Sequence, residues 1–380
     1  MTQLTDHEPE PIPLVDLHVQ HAEVGAEVEA GWARVAKEGS FILGPEVRAF
    51  EAEFARFSGV EHCIGVANGT DALELALRAR GIGPGDEVIV PANTFIATAE
   101  AVTRAGAQPV LVDCDPDHLL IDPERVAERI SPRTRAVMAV HLYGQMAPVE
   151  ALAGIVPPQV DIIEDAAQSQ GATRHGRASG SVGVVAGTSF YPGKNLGAYG
   201  DAGAVMTRDD ATAGALRELR DHGSTVKYHH DRVGMNSRLD SVQAVVLRAK
   251  LARLPRWNDE RRAAAARYDD LLAATGLDVR APRTLAGNEH VWHLYVVRVP
   301  RRDDVLGALH AAKVGAGIHY PFPLHLLGAY ADLGHGPGDF PVAEAAASEI
   351  LSLPLYPGIT EAQQQRVVAV LDAALRAGDA

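Results

Sequence analysis

Short apolar runs and amphipathic segments alternate through the first half of this 380-residue chain, and this alternation limits the possible fold more than any other feature. The apolar runs, each long enough for one strand, are CIGVAN, DEVIVPA, QPVLVDCD, RAVMAVHLYG and VDIIED. Helical segments such as DALELALRAR, FIATAEAVTRAG and PERVAERI separate them. The pattern predicts an α/β fold with a mostly parallel sheet covered on both faces. Ligands of such sheets bind at the carboxyl ends of the strands, where Asn68, His141 and Asp165 lie.

The pattern changes after Gly276, which predicts a second and smaller domain. Before that glycine, VVAGTSFY and GAVMTR add strands, and helical periodicity covers residues 22–37, 45–57, 211–221 and 239–274. After it, we expect strands at HVWHLYVVRV and AGIHYP, and helices at DDVLGALHAA, EAAASEILSL and EAQQQRVVAVLDAAL. We therefore predict a large domain over residues 1–250, with a loose N-terminal arm at 1–12, and a small α+β domain over 251–380.

Composition excludes several functional classes. The formal net charge of −14 argues against nonspecific nucleic-acid binding, which needs a basic face. Cys63 and Cys114 are too few for a disulfide framework and lack the spacing of a metal site. No apolar run is long enough to cross a membrane, and the acidic, proline-bearing N-terminus is not a signal peptide. We expect a cytoplasmic protein without metal, membrane or nucleic-acid partners.

An acid and a lysine each follow an apolar strand in the large domain. Asp165 closes VDIIED, and Lys194 lies about thirty residues later in the glycine-rich stretch SFYPGKNLGAYGDAGAV. A lysine that forms a Schiff base and a carboxylate that keeps a pyridine nitrogen protonated are what pyridoxal phosphate (PLP) chemistry needs. Strand alternation puts Glu164 and Asp165 on opposite faces, so one can face a cavity while the other is bound elsewhere.

Lys194 has two competing interpretations, a P-loop lysine and a solvated loop lysine. Five residues separate Gly187 from Gly193, where a P-loop has four, and Asn195 replaces the Ser or Thr that would hold magnesium. The P-loop is therefore excluded. A solvated lysine is less expected because the chain has only five lysines among its 35 basic residues.

The segment NGTDAL, residues 68–73, follows a strand and opens a helix. Gly69 permits close backbone approach, Thr70 offers a hydroxyl, and the helix N-terminus offers free N–H groups, which together suit a phosphate. The alternative is a plain N-cap without a ligand. Ser189 could add a hydrogen bond to the phosphate, and Gln168 lies three residues after Asp165, within reach of the same cavity.

Histidines occur in two groups outside these segments. His222, His229 and His230 form a loose cluster whose spacing matches no standard metal site. His319 and His325 lie in the proline-rich turn GIHYPFPLHL, where turn packing and substrate contact are both open interpretations.

Taken in order, six segments resemble the DegT/DnrJ/EryC1/StrS family of PLP-dependent sugar aminotransferases. They are NGTDAL, PANTFIATA, IEDAAQSQGA, SFYPGKNLGAYGDAGA, GMNSRLDSVQAVVL and GIHYPFPLHL. The resemblance covers residues 12–375, and the EDAAQ and GKNLG segments are the most specific. It implies a fold type I (aspartate aminotransferase-like) homodimer with shared active sites at the interface. The family usually has glycine where GDAGA has Ala202.

The resemblance also implies a role for each matched residue. Lys194 would be the Schiff-base lysine and proton carrier, Asp165 would pair with the pyridinium nitrogen, and Gln168 would contact the ring hydroxyl. Phe95 would stack on the ring. Phosphate contacts are implied for Gly69, Thr70, Asp71 and Ser189, and for Asn236 of the neighbouring subunit. Substrate contacts are implied for His222, Tyr228, Arg238, His319, Tyr320 and His325.

The implied reaction moves an amino group from a donor, L-glutamate, to a nucleotide-linked keto sugar in deoxyamino-sugar or antibiotic biosynthesis. The segments HGSTVKYHHDRVGMNSRLDSVQA and LSLPLYPG are most similar to enzymes that aminate C3 of dTDP-3-keto-6-deoxyhexoses. Amination at C4 is the alternative. A sugar dehydratase, a cyclitol aminotransferase and a non-catalytic regulatory relative on the same fold also stay open. Lys194 disfavours the dehydratase, because the dehydratase branch resembles this sequence but has a histidine at the corresponding position.

Overall fold

The structure, a computed structural model, describes residues 10–377, so residues 1–9 of the predicted arm lie outside it. The helices, numbered along the chain, are α1 Leu17–Glu38, α2 Pro45–Ser58, α3 Gly69–Ala79, α4 Ile96–Arg104, α5 Pro123–Arg129, α6 Val149–Ile155, α7 Asp210–Leu219, α8 Ser241–Leu251, α9 Leu254–Ala273, α10 Arg302–Ala311, α11 Pro341–Glu349 and α12 Glu361–Arg376.

The strands are β1 His62–Val66, β2 Glu87–Pro91, β3 Gln108–Val112, β4 Thr134–Val140, β5 Asp161–Asp165, β6 Thr173–Arg174, β7 Arg177–Ala178, β8 Val185–Ser189, β9 Gly203–Thr207, β10 Ser224–Val226, β11 His229–His230, β12 Asn288–Glu289, β13 Tyr295–Arg298 and β14 Ile350–Leu353. Three short 3₁₀ segments are Leu142–Gly144, Leu324–Leu326 and Gly328–Leu333.

Seven of these strands form the central sheet, in the order β1-β9-β8-β5-β4-β2-β3. β9 is antiparallel to both of its neighbours, and the other four pairings are parallel. The strands are buried because helices cover both faces, as the apolar runs predict. The prediction of a mostly parallel α/β sheet is confirmed. No helix among residues 10–377 is both long and apolar enough to cross a bilayer.

The prediction of one long helix over residues 239–274 is wrong. The segment forms two helices, α8 and α9, and the second begins at Leu254 with a proline in its first turn. That proline, Pro255, has no N–H to donate to the turn before it, so the chain ends one helix and starts another there.

Two predictions for the C-terminal region are also wrong. The segment AGIHYP forms no strand; its one β-type pairing joins Gly317 to Ser352. The helix predicted at EAAASEILSL ends at Glu349, and ILSL becomes β14, which pairs antiparallel with β13. β-Branched and leucine side chains suit either structure, and here pairing with a strand more than fifty residues away decides between them.

The region from Leu254 onward builds a hydrophobic cluster of its own, which includes Tyr268, Tyr295 and Leu351. Ile12 joins this cluster at 2% exposure, and its backbone hydrogen-bonds to Lys313 and Gly315. The end of the predicted arm is therefore anchored at Ile12, whereas Glu10 and Pro11 are exposed. The division into domains at residue 250 stays a prediction.

Candidate active site

A cavity of about 660 Å³ opens at the carboxyl ends of the central strands, where the sheet predicts a ligand. It lies between the loops after β1, β2, β5 and β8 and the segment around residue 319. The predicted site residues that line it are Gly69, Thr70, Phe95, Asp165, Gln168, Ser189, Lys194, His319 and Tyr320. The structure thus brings together residues that are up to 251 positions apart in the chain.

Asp165 ends β5 and is 5% exposed. Its Oδ2 accepts a hydrogen bond from Thr98 Oγ1 at 2.8 Å, and its Oδ1 accepts one from the Ala167 N–H at 3.1 Å. Burial raises the pKa of this carboxyl, and the hydrogen bonds and the charge of Lys194 offset only part of that effect. A cation placed beside Asp165 would therefore stabilise its charged form.

Glu164 faces the opposite side of the same strand, as alternation predicts. Its carboxylate accepts hydrogen bonds from His141 Nε2 at 2.7 Å and from the N–H groups of Gly180, Val182 and Gly183. Burial alone would raise its pKa, but these bonds outweigh burial and lower it. His141 donates from Nε2, because its Nδ1 accepts the Ala147 N–H at 3.1 Å. Glu164 therefore fixes the end of the strand that carries Asp165.

Lys194 is half-buried, on the loop that follows β8. Its backbone N–H donates to the Tyr191 carbonyl at 2.8 Å, which turns the chain back toward the sheet. Burial lowers the pKa of its amine to about 8, although the negative charge of Asp165 acts in the opposite direction. A lysine with this pKa has a much larger neutral fraction near neutral pH than an exposed lysine has.

The N-terminus of α3 faces the same cavity. Asn68 caps the helix by accepting the Asp71 N–H at 2.8 Å, and Gly69 and Thr70 line the cavity beside Ser189. A Cβ added to Gly69 would lie 2.5 Å from the Ser189 Cβ, so glycine is required for this close approach. The first turn of a helix with two hydroxyls next to it suits a phosphate.

Gln168 is oriented by its neighbours. Its Oε1 accepts the Tyr143 N–H at 2.6 Å, and its Nε2 donates to the Tyr320 hydroxyl at 3.1 Å. The Tyr320 ring lies 5.1 Å from the ring of Phe95, which is 49% exposed at the mouth of the cavity. Gln168 and Phe95 therefore line the same cavity as Asp165 and Lys194.

Six predicted site residues lie away from the cavity of this chain. The Asp71 carboxylate accepts Ser237 Oγ at 2.8 Å and pairs with Arg104, so only its backbone takes part in the helix start. His325 is buried, its ring lies 3.0 Å from the Glu344 carboxylate, and it packs at a tilt against the Phe340 ring. The remaining four lie on or beside one surface segment: His222, Tyr228, Asn236 and Arg238.

Several cavity residues were missed by sequence reasoning. Thr98 binds Asp165, and Thr94 donates to Thr98, because the Thr98 proton is already engaged. His293 lines the cavity near Lys194; burial and the Lys194 charge lower its pKa well below 6.5. Asp201 lies in the stretch GDAGA. The spacing from Phe95 to Thr98, one helical turn, was the available signal for Thr98.

Ala202, the one departure from the family pattern noted in the sequence, fits without strain. It is 1% exposed, its φ is not among the positive values of the described residues, and its carbonyl accepts the Phe190 N–H at 2.8 Å.

These donors and charges fit PLP. The buried carboxylate lacks a full cationic partner, which a protonated ring nitrogen supplies. The amine of lowered pKa suits bonding to an aldehyde, and the helix start with Thr70 and Ser189 suits the phosphate. Gln168 and Phe95 would contact the ring from its edge and face.

Comparison with known proteins places this geometry among aminotransferases. The model of the DegT/DnrJ/EryC1/StrS aminotransferase family matches residues 23–372. The chain is 48% identical to dTDP-3-amino-3,4,6-trideoxy-alpha-D-glucose transaminase of Streptomyces venezuelae over 94% of each chain. It is 46% identical to the "Pleiotropic regulatory protein" of Geobacillus stearothermophilus over 94% of this chain and 96% of the other.

A solved structure agrees with the fold throughout. It is S. venezuelae DesV in complex with a ketimine intermediate, with 46% sequence identity and a TM-score of 0.93. The match covers 96% of this chain and 98% of that one. The fold type I prediction is confirmed.

Proposed function

Because this chain belongs to the DegT/DnrJ/EryC1/StrS aminotransferase family, we propose that it aminates C3 of a dTDP-linked 3-keto-6-deoxyhexose with L-glutamate as donor. The protein is an aminotransferase, and its cofactor is PLP. One observation carries the proposal. The half-buried amine of Lys194, the buried carboxylate of Asp165 and the N-terminus of α3 all line one cavity.

Each side chain of the site has a task in transamination. When bound, PLP supplies a conjugated ring that takes up the electron pair left behind when a proton leaves the carbon next to the amine. Lys194 would hold the cofactor at its aldehyde carbon and, once released, its neutral amine would take that proton and return it. Asp165, oriented by Thr98 and the Ala167 N–H, would keep the ring nitrogen protonated.

The surroundings favour the neutral amine of Lys194. Its burial lowers its pKa to about 8, and burial and the Lys194 charge lower the pKa of the neighbouring His319 to about 4. Both histidines that line the cavity, His293 and His319, are therefore neutral near pH 7. They can accept or donate hydrogen bonds to a sugar hydroxyl without competing for the proton that Lys194 moves.

We further propose that two subunits share each active site. Of the described residues that line the cavity, Arg104 and Lys194 are basic, while Glu100, Asp165 and Asp201 are acidic. Arg104 is already paired with Asp71 and Glu74. A phosphate and a nucleotide diphosphate need more positive charge and more donors than this cavity offers.

The surface segment of residues 222–238 can supply what the cavity lacks. It carries His222, Tyr228, Asn236 and Arg238, and Tyr228 is 81% exposed. Large apolar side chains such as Val233, at 85%, are also exposed on it, which is typical of a surface that a partner covers. A homodimer would place this segment at the neighbouring cavity.

The choice of C3 rests on the S. venezuelae relative, whose name specifies a 3-amino sugar. Conversion of synthetic dTDP-3-keto- and dTDP-4-keto-6-deoxyhexoses with ¹⁵N-labelled glutamate tests it. We expect carbon–nitrogen correlation in NMR spectra to place the label on C3. Label on C4 would show that the enzyme aminates C4 and not C3. If neither substrate yields a labelled sugar, the assignment of a sugar substrate is overturned.

A further inference from the structure

Lys250 is a buried lysine on α8 outside the cavity lining. It is 1% exposed, and its Nζ donates to the Gly197 carbonyl at 2.8 Å. The same Nζ lies 4.7 Å from the centre of the Tyr199 ring, a cation–π distance. Among residues 10–377 no carboxylate forms an ion pair with it. Burying a cation without a carboxylate is unfavourable, and burial lowers the pKa of Lys250 to about 8.

The acceptor of this hydrogen bond belongs to the loop that carries Lys194. Two backbone bonds close the loop: Lys194 N–H to the Tyr191 carbonyl and Ala198 N–H to the Phe190 carbonyl, both at 2.8 Å. A Cβ on Gly197 would lie 2.2 Å from the Pro192 carbonyl oxygen, so the chain folds tightly back on itself here. Any shift of Gly197 therefore moves the turn that sets the direction of Lys194.

α8 holds this loop at two points. Gln243 Oε1 accepts the Tyr199 N–H at 2.9 Å, and Lys250 binds the Gly197 carbonyl two helical turns further on. Tyr199 is also held from outside, because its hydroxyl lies 2.7 Å from His21 Nδ1 on α1. Lys250 thus adds a charged hydrogen bond at the base of the loop, where a neutral apolar residue would leave the Gly197 carbonyl without this donor.

We propose that Lys250 is a positioning residue for Lys194: its ammonium fixes the Gly197 carbonyl and so holds the loop that presents the Lys194 amine to PLP. Lysine suits this task because it is a compact charge with several donors, which can serve one carbonyl and one ring face together. The inference rests on the proposed role of Lys194.

The test compares Lys250→Met with Lys37→Met, an exposed lysine on α1 that serves as the charge-matched control. Two quantities are measured: amide hydrogen exchange of residues 191–200 in cofactor-free protein, and the rate at which added PLP bonds to Lys194, followed by absorbance. We expect Lys250→Met to accelerate exchange in this loop and to slow covalent loading, each by about tenfold, since one charged hydrogen bond is lost. Exchange in α3 and β5 should not change.

The results separate this inference from the proposed function. Wild-type loop exchange and wild-type loading in a folded Lys250→Met protein would overturn the role of Lys250 alone. Absence of a PLP bond at Lys194 in the wild type would overturn the role of Lys194. If Lys250→Met does not fold, Lys250→Gln replaces it, because the neutral amide removes the charge from the hydrogen bond to the Gly197 carbonyl. We then expect a smaller acceleration in the same loop, and an unchanged loop would contradict the inference.

Discussion

The interior of the cavity and the surface segment 222–238 differ in how their polar groups are held. Inside, Asp165 and Gln168 each have at least two protein hydrogen bonds, and both are at most 5% exposed. On the segment, Tyr228 is 81% exposed and Asn236 is also exposed. The interior is arranged by one chain, whereas the segment presents exposed side chains such as Tyr228 and Asn236 at the surface.

This difference separates cofactor chemistry from substrate recognition. Groups that hold or move a proton need fixed positions and a low-dielectric setting, and the sheet and its loops provide both. Groups that bind a large anionic substrate can come from a neighbouring subunit. The comparison therefore predicts large chemical effects for changes inside the cavity and smaller, subunit-crossing effects for changes on the segment.

The largest effect is expected for Lys194→Ala. Without the amine, no group in the cavity moves the proton, so turnover should fall by on the order of 10⁴-fold or more. Single-turnover kinetics and a PLP absorbance spectrum measure this, with Lys37→Ala as the control. The variant should stay folded and hold PLP without a covalent bond. Transamination at the wild-type rate would remove Lys194 from its role.

The next effect is expected for Asp165→Asn. The amide cannot keep the ring nitrogen protonated, so we expect PLP to bind while the rate falls by roughly 10²-fold to 10³-fold. The measurement is the rate of conversion of bound PLP to its amine form after glutamate is added. An undiminished rate would exclude Asp165 as the partner of the ring nitrogen.

Glu164→Gln tests whether the opposite face of β5 is structural. The Glu164 carboxylate accepts four hydrogen bonds, and an amide would replace one of its accepting oxygens with an NH₂ donor that faces these donors. The free energy of unfolding should therefore fall by about 3 kcal/mol. Because the folded-state pKa of Glu164 lies below 4.5, its contribution is present above pH 4.5 and lost as pH falls through the folded value. Urea unfolding across pH should therefore show the difference from wild type shrinking in acid.

Much of the interior was predictable because its signals are local. A strand that ends in an acid, a glycine-rich turn with a lysine and a helix that opens with NGT can each be recognised within ten residues. Asp165, Lys194 and Thr70 were found in this way, and the structure places all three in one cavity.

What sequence reasoning missed depends on distant partners. β14 is a strand because β13 pairs with it, and His325 is turned inward because the Glu344 carboxylate, nineteen residues later, hydrogen-bonds to its ring Nε2. No local pattern distinguishes His325 from His319, which does line the cavity. Under the proposed sharing of sites, the contacts of the surface segment would come from a second chain, and no local sequence pattern specifies such contacts.

Asn236→Ala tests the sharing of sites directly. If Asn236 binds the cofactor phosphate across the interface, the variant should bind PLP about tenfold more weakly, because one hydrogen bond to a charged group is lost. In a heterodimer of Asn236→Ala and Lys194→Ala subunits, one of the two sites would combine an intact Lys194 with an intact Asn236. We expect about half of the wild-type rate per dimer in such a hybrid.

The hybrid must be purified with two different tags so that its composition is known. Each parent homodimer, measured at the same PLP concentration, is the control. A confirmed heterodimer that is no more active than the mean of its parents would show that Asn236 acts within its own chain, or on no site at all.

The smallest expected effect is a shift in the pH at which cofactor-free protein reacts with PLP. The neutral Lys194 amine is the reactive form, so the loading rate should rise with pH to a midpoint near 8.

Asp165 raises the pKa of Lys194, and its removal in Asp165→Asn should therefore move the midpoint to lower pH. Tyr228→Ala, a change on the exposed segment, should leave the midpoint in place, because it removes no carboxylate from the surroundings of Lys194. Stopped-flow absorbance over pH 6–10 measures all three proteins. A midpoint that moves upward in Asp165→Asn would mean that the Asp165 carboxylate does not act on the Lys194 amine through its charge. The interior of the cavity would then lack the electrostatic coupling that distinguishes it from the surface segment.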